Sequence, residues 1–199
     1  RPDKTCSKKG RKKRHEDFPP APIPLLDLTR KYRSIEAALH RQWNLAFESM
    51  RLLNGRNLAA FEEEFADYCN VRHAIGVASG TDAIFLSLRA LGIGPGDEVI
   101  LPAHAPAPVI EPILYLGATP VLIDKASADY GPDLAGLRAA ISGNTKAVLA
   151  VHLLGLPCDM DAIGHIARDS GVPVVEDSSQ AQGAMYRGKH AAGLGAITP

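Results

Sequence analysis

Cysteine is scarce in this chain: Cys6, Cys69 and Cys158 are odd in number and far apart, with no C-x-x-C spacing. That argues against a disulfide framework or a cysteine-based zinc site and fits a reducing compartment, the cytoplasm. The sequence has no uncharged apolar run of the roughly 18 residues that a bilayer span needs. It also has no apolar stretch near its start with the form of a secretory signal. Neither G-x-x-x-x-G-K-[ST] nor G-x-G-x-x-G occurs, so nucleotide-binding folds of those two types are not expected. The first residue is Arg1 rather than Met, which predicts a processed chain or a piece of a longer one.

Net charge is absent as well, with 22 Lys and Arg against 22 Asp and Glu. The balance hides an uneven distribution. Residues 1–24 carry eight basic and three acidic side chains, and the rest carries fourteen basic and nineteen acidic. The run Lys8-Lys9-Gly10-Arg11-Lys12-Lys13-Arg14 and the prolines Pro19, Pro20, Pro22 and Pro24 leave this segment almost nothing to bury. It reads as a disordered, solvated tail. A basic run of this kind is also a nucleic-acid or nuclear-localisation pattern, but a lone run over 1–14 is thin support, and no nucleic-acid partner is expected. Residues 25–199 form the folded part, with 46% hydrophobic residues in the whole chain supplying an ordinary globular core.

Within that part, Ile35, Leu39, Trp43, Phe47 and Met50 recur at helical spacing and predict an amphipathic helix over 30–51. Leu58, Phe61 and Phe65 predict a shorter one. Apolar runs at 74–78, 98–101, 120–123, 147–153 and 172–175 then read as buried strands. Helical segments near 81–91, 107–116, 133–141 and 159–169 separate them, punctuated by Gly117, Gly143 and Gly171. Five β–α repeats imply an α/β fold, a mostly parallel sheet in a three-layer α/β/α arrangement. Ligands bind such sheets beyond the carboxyl ends of the strands. The polar residues stand there: Ser79-Gly80-Thr81, His104, Asp124, His152, and Glu176-Asp177 with Gln180.

Ser79-Gly80-Thr81 lies where a strand turns into a helix, so its backbone N–H groups and hydroxyls suit a phosphate; taken alone, a plain helix cap is the simpler reading. Asp177 ends an apolar strand and needs a partner to offset its desolvation. A protonated pyridine nitrogen is one, the pairing that keeps pyridoxal phosphate an electron sink; capping of the next segment is the other. Gln180, three residues on, can reach the same ligand. His104 can stack on a ring or move a proton, or serve structurally. His152 reads as a structural residue of a buried strand, Asp124, Asp159 and Asp161 as caps and loop residues, and Lys189 as exposed.

Taken together, Ser79-Gly80-Thr81-Asp82-Ala83, Leu91-Gly92-Ile93-Gly94-Pro95-Gly96-Asp97-Glu98-Val99-Ile100 and Gly117-Ala118-Thr119-Pro120-Val121 resemble the DegT/DnrJ/EryC1/StrS family of sugar aminotransferases. Val151-His152-Leu153-Leu154-Gly155, Asp159-Met160-Asp161, Glu176-Asp177 and Gln180-Ala181-Gln182-Gly183-Ala184 extend the likeness from about Ile23 to Gly195. The resemblance implies the large domain of a fold-type-I pyridoxal 5′-phosphate enzyme, truncated at its C-terminus and homodimeric when full length. It implies amino transfer, usually from glutamate, to a keto group on a nucleotide-linked sugar. Gly80 and Thr81 would hold the cofactor phosphate, Asp177 the pyridine nitrogen and Gln180 the ring hydroxyl, with His104 over the ring face. The Schiff-base lysine and a phosphate-binding serine of the family fall beyond Pro199, so no catalytic residue is expected within this chain, which alone would be inactive. Pro106 and Pro108, Gln182 and Ala196 depart from the family pattern, and the two prolines are expected to delay the next helix. The alternatives are a pyridoxal-phosphate sugar dehydratase of the same family, or a relative that binds the cofactor without turnover.

Overall fold

The computed structural model describes residues 23–126 and 130–199. The basic, proline-rich tail expected over 1–24 lies outside the described residues up to position 22. The chain divides into two compact units, Arg1–Leu53 and Asn54–Pro199. Of the first, α1 (Thr29–Ser49) realises the helix expected over 30–51, and Met50 ends it with a left-handed φ of 51°. None of its residues is buried. Trp43 and Phe47, one turn apart on the same face, bring their rings to 5.3 Å.

The second unit carries α2 (Arg56–Cys69), α3 (Gly80–Ala90), β1 (Glu98–Pro102), α4 (Ala107–Tyr115), β2 (Thr119–Ile123), α5 (Leu134–Ala140), β3 (Thr145–Val151), α6 (Met160–Asp169) and β4 (Val174–Asp177). A two-stranded antiparallel hairpin, β5 (Met185–Tyr186) and β6 (Lys189–His190), follows. The main sheet has the order β2-β1-β3-β4, and every pairing in it is parallel.

Side chains of one strand alternate between the two faces, and the core divides accordingly. Val99 and Leu101 of β1, with Leu149 and Val175, pack under Ile84 and Leu88 of α3 and Val109 and Ile113 of α4. Ile100, Val148, Ala150 and Val174 face the other way, onto Leu137 of α5 and Ile163, Ile166 and Ala167 of α6. This is the three-layer arrangement expected from the apolar runs: central strands buried on both faces read as unbroken hydrophobic segments.

Helix ends follow their sequence signals. Ser79, Asp133 and Asp159 each accept a backbone N–H of the first turn of α3, α5 and α6. Gly117 (φ 73°) turns the chain out of α4, where a side chain would both strain the backbone and press on Pro95. Pro106 and Pro108 do not delay α4: it starts at Ala107, with Pro106 as its N-cap and Pro108 in the first turn, where no intrahelical N–H is needed.

The strand expected at 74–78 does not form. A strand exists only through a ladder, and among the described residues none pairs with this segment; Ile75 is 80% and Val77 42% exposed. Glu62 of α2 anchors it, accepting the Gly76 N–H at 2.7 Å. The strands of the main sheet are therefore four rather than five. Among the described residues no helix is long and apolar enough to cross a membrane.

Two stability predictions follow from this packing. Leu88→Ala, at a fully buried position, lowers unfolding free energy by about 2–5 kcal/mol, while Leu122→Ala, on the edge strand and 52% exposed, costs less than about 1 kcal/mol. Urea midpoints at unchanged slope measure both. The Tyr186 hydroxyl, then the Ala162 N–H, holds the Asp159 carboxyl below the ordinary carboxylate range. A lowered pKa gives stability that is complete above the ordinary value and is lost as pH falls through the folded one. Asp159→Ala therefore costs about 1 kcal/mol at pH 7, and its deficit shrinks as the pH falls below 3.8.

Candidate functional site

Because β1 to β4 all run the same way, the residues that follow them emerge at one edge of the sheet. His104 follows β1, Asp124 follows β2, His152 follows β3 and Asp177 closes β4. The strand order separates β1 and β4 by β3 alone, about 10 Å at the usual strand spacing.

The start of α3 reaches the same edge. Ser79 takes the extended conformation of an N-cap and its hydroxyl oxygen accepts the Asp82 N–H at 3.1 Å, while its carbonyl accepts from Ala83. The N–H groups of Gly80 and Thr81 have no acceptor among the described residues, as the first turn of a helix dictates. A side chain on Gly80 would meet only the Ser179 Cβ, at 3.9 Å. No clash inside the protein demands glycine there. The same contact puts the helix start beside the segment after Asp177.

Asp177 is buried, and among the described residues its side chain is engaged only through Oδ1, which accepts the Ser179 N–H at 2.9 Å. Its second oxygen is uncommitted. Gln180 is exposed, and its Oε1 accepts the Leu154 N–H at 3.0 Å. That bond fixes which way the amide points and leaves the Nε2 donors for a ligand. Leu154 itself holds a φ of 56° in the tight turn Leu153–Gly155. His104 stands 3.0 Å from the Tyr130 carbonyl oxygen through Nε2, so Nε2 carries the proton and donates. Its Nδ1 is buried and has no partner among the described residues. The donor set fits a phosphorylated pyridine: two open helix N–H groups and the Thr81 hydroxyl for the anion, a buried carboxylate for a ring cation, and an amide donor for a ring oxygen.

The remaining expectations resolve locally. Asp124 accepts the N–H of Lys125, and Asp161 pairs with Arg187 at 2.5 Å. Lys189 is exposed in the hairpin, which its glycine-flanked sequence did not reveal as a pair of strands. His152 lies just past β3 rather than within it and is structural, fully buried with Nε2 2.8 Å from Glu176 Oε1. Glu176 was noted beside Asp177 in the sequence but given no role there; a second carboxylate at the end of an apolar strand was the available signal. Among the described residues, no group of three His, Cys, Asp or Glu side chains gathers to hold a metal. A groove of about 440 Å³ beside α6 is lined by Val172 and Val174, at the amino end of β4, so it is not this site.

Gly80→Ala tests the geometry. With only an ordinary van der Waals contact at the Cβ, thermal unfolding of the variant stays within about 1 kcal/mol of the parent; a larger loss would show that the glycine serves internal packing instead.

Comparison with known proteins identifies the family. GDP-perosamine synthase of Caulobacter vibrioides is 48% identical over 141 residues, 71% of this chain and 38% of that one. The dTDP-3-amino-3,4,6-trideoxy-alpha-D-glucose transaminase of Streptomyces venezuelae is 44% identical over 167 residues, 84% of this chain and 44% of that one. The crystal structure of S. venezuelae DesV in complex with a ketimine intermediate matches with a TM-score of 0.82 and 43% identity, over 84% of this chain and 45% of that one. The chain thus spans less than half the length of these relatives. With residues 34–199 matching its family model, the chain belongs to the DegT/DnrJ/EryC1/StrS aminotransferase family.

Proposed function

We propose that the full-length protein is a pyridoxal-phosphate-dependent aminotransferase. It transfers an amino group, with glutamate as donor, to the keto group of a nucleotide-linked sugar on the way to a polysaccharide, cell-surface glycan or antibiotic sugar. It works as a cytoplasmic homodimer. The observation that carries this reading is the pairing, on one sheet edge, of the buried residue Asp177, one of whose carboxylate oxygens has no partner among the described residues, with the open N-terminus of α3 at Gly80. Support for the substrate class comes from the two curated relatives, whose names refer to a GDP-linked and a dTDP-linked amino sugar.

When bound, pyridoxal phosphate supplies the electron sink that lets an amino group be exchanged for a keto oxygen. The residues of this chain bind and polarise it. The Gly80 and Thr81 N–H groups, at the positive end of the α3 dipole, take the phosphate, with the Thr81 hydroxyl as a further donor. Asp177 holds the proton on the pyridine nitrogen. Its Oδ1 is tied to the Ser179 N–H, so the carboxylate keeps its orientation, and burial strengthens the charge pairing by excluding water. Gln180 donates from Nε2 to the ring hydroxyl oxygen, its carbonyl being engaged by Leu154. His104 covers the ring face, with its imidazole held by the Tyr130 carbonyl.

The test uses the full-length protein. With glutamate and GDP-, dTDP- or UDP-linked keto-sugars, amino transfer releases 2-oxoglutarate; failure with all three nucleotide classes would remove the substrate assignment. Asp177→Ala lowers turnover by at least about 100-fold while cofactor affinity falls less than about tenfold, because the carboxylate acts on the ring's electronics more than on its retention. Equal losses in both would refute that role.

A further inference from the structure

The carboxylate next to Asp177 is satisfied in a different way. Glu176 is fully buried. Its Oε1 accepts a hydrogen bond from the His152 Nε2–H at 2.8 Å. Its Oε2 accepts the backbone N–H groups of Gly193, Leu194 and Gly195 at 3.2, 2.7 and 2.7 Å, and the Thr198 hydroxyl at 3.2 Å. Three successive N–H groups aimed at one oxygen form an anion nest. The His152 tautomer is fixed from behind: Nδ1 accepts the Cys158 N–H at 3.1 Å, so the proton must sit on Nε2. Close approach of this turn requires glycine, since a Cβ on Gly195 would stand 2.9 Å from the Glu176 Cβ and 3.0 Å from the Val174 carbonyl oxygen.

The turn leads into a strand-like segment. Ala196 donates to the Val174 carbonyl at 2.8 Å, Glu176 donates to the Ile197 carbonyl at 3.0 Å, and Val175 and Ile197 form a parallel bridge. Carried forward, this register sets Thr198 level with Glu176 and Pro199 level with Asp177. The chain therefore leaves the nest heading for the edge where Asp177 stands. Apolar side chains would fill this part of the core at lower desolvation cost than a carboxylate and an imidazole. What the polar pair adds is direction: five donors converge on one carboxylate and fix the turn at a single register.

We propose that Glu176, anchored by His152, is a positioning residue: it sets the register of residues 193–198 against β4 and thereby fixes where the following chain meets the cofactor held by Asp177. The inference rests on the cofactor reading above. Glutamine cannot replace Glu176. Its NH₂ would face either the four donors on Oε2 or the His152 N–H, and a change of His152 tautomer would break the bond from Cys158.

The experiment compares full-length Glu176→Gln with the unmodified protein, well below both unfolding temperatures. Backbone amides of 193–198 exchange at least about tenfold faster in the variant, while those of β1 and β3 keep their rates. The visible circular dichroism of bound pyridoxal phosphate falls by about half or more, and kcat falls at least about tenfold with the KM for sugar within about threefold. Should Glu176→Gln fail to fold, Thr198→Val removes one of the four donors to Oε2 and gives the same changes at smaller size. Unchanged dichroism and kcat in the folded variant, with the cofactor bound, overturn the positioning role and leave the cofactor reading intact. Absence of pyridoxal phosphate binding by the unmodified protein overturns both.

Discussion

Parallel strands cannot be joined by tight hairpins; each must be followed by a crossover that carries the chain back to the starting edge. In this protein α4, α5 and α6 make those returns, and every strand of the main sheet ends at the same side. The gathering of His104, Asp124, His152 and Asp177 at one edge needs no contact among them. It depends on strand direction alone, and the helices that enforce that direction also cover both faces of the sheet. The core and the site are thus two results of one constraint.

At the end of β4 two adjacent carboxylates are taken out of water, and their donor sets separate their roles. Glu176 receives five hydrogen bonds from the protein itself and has nothing left to offer a ligand. Asp177 receives one among the described residues, on one oxygen. A buried charge is tolerated only when it is compensated, so the partly compensated carboxylate is the one that points to a guest. The same logic distinguishes the two histidines. His152 uses both ring nitrogens internally, whereas His104 uses only Nε2 among the described residues.

Much of this was legible in the sequence because it rests on local physics. The runs at 98–101, 120–123, 147–153 and 172–175 became β1 to β4 with ends shifted by at most two residues, since continuous apolar segments of that length are buried on both faces. Ser79 and Asp159 were readable as caps, because a short polar side chain before an apolar periodicity has few other uses. The segment 74–78 has the same apolar character and yet is no strand. A ladder is a property of two segments, and composition reports on only one. The hairpin β5–β6 was invisible for a related reason: two-residue strands carry no periodicity.

The sequence by itself determined the layers, the direction of the sheet and the family, because these follow from periodicity, cap chemistry and ordered motifs along one chain. It also placed Gly80, Thr81, His104, Asp177 and Gln180 after strands or at a helix start. Only the tertiary structure decided what those groups have left to give. The free oxygen of Asp177, the orientation of the Gln180 amide and the full engagement of Glu176 depend on hydrogen-bond partners as far as 26 residues away. Which donors converge on a buried carboxylate is settled by the folded chain, since a polar group's capacity to bind is whatever its own protein has not already satisfied.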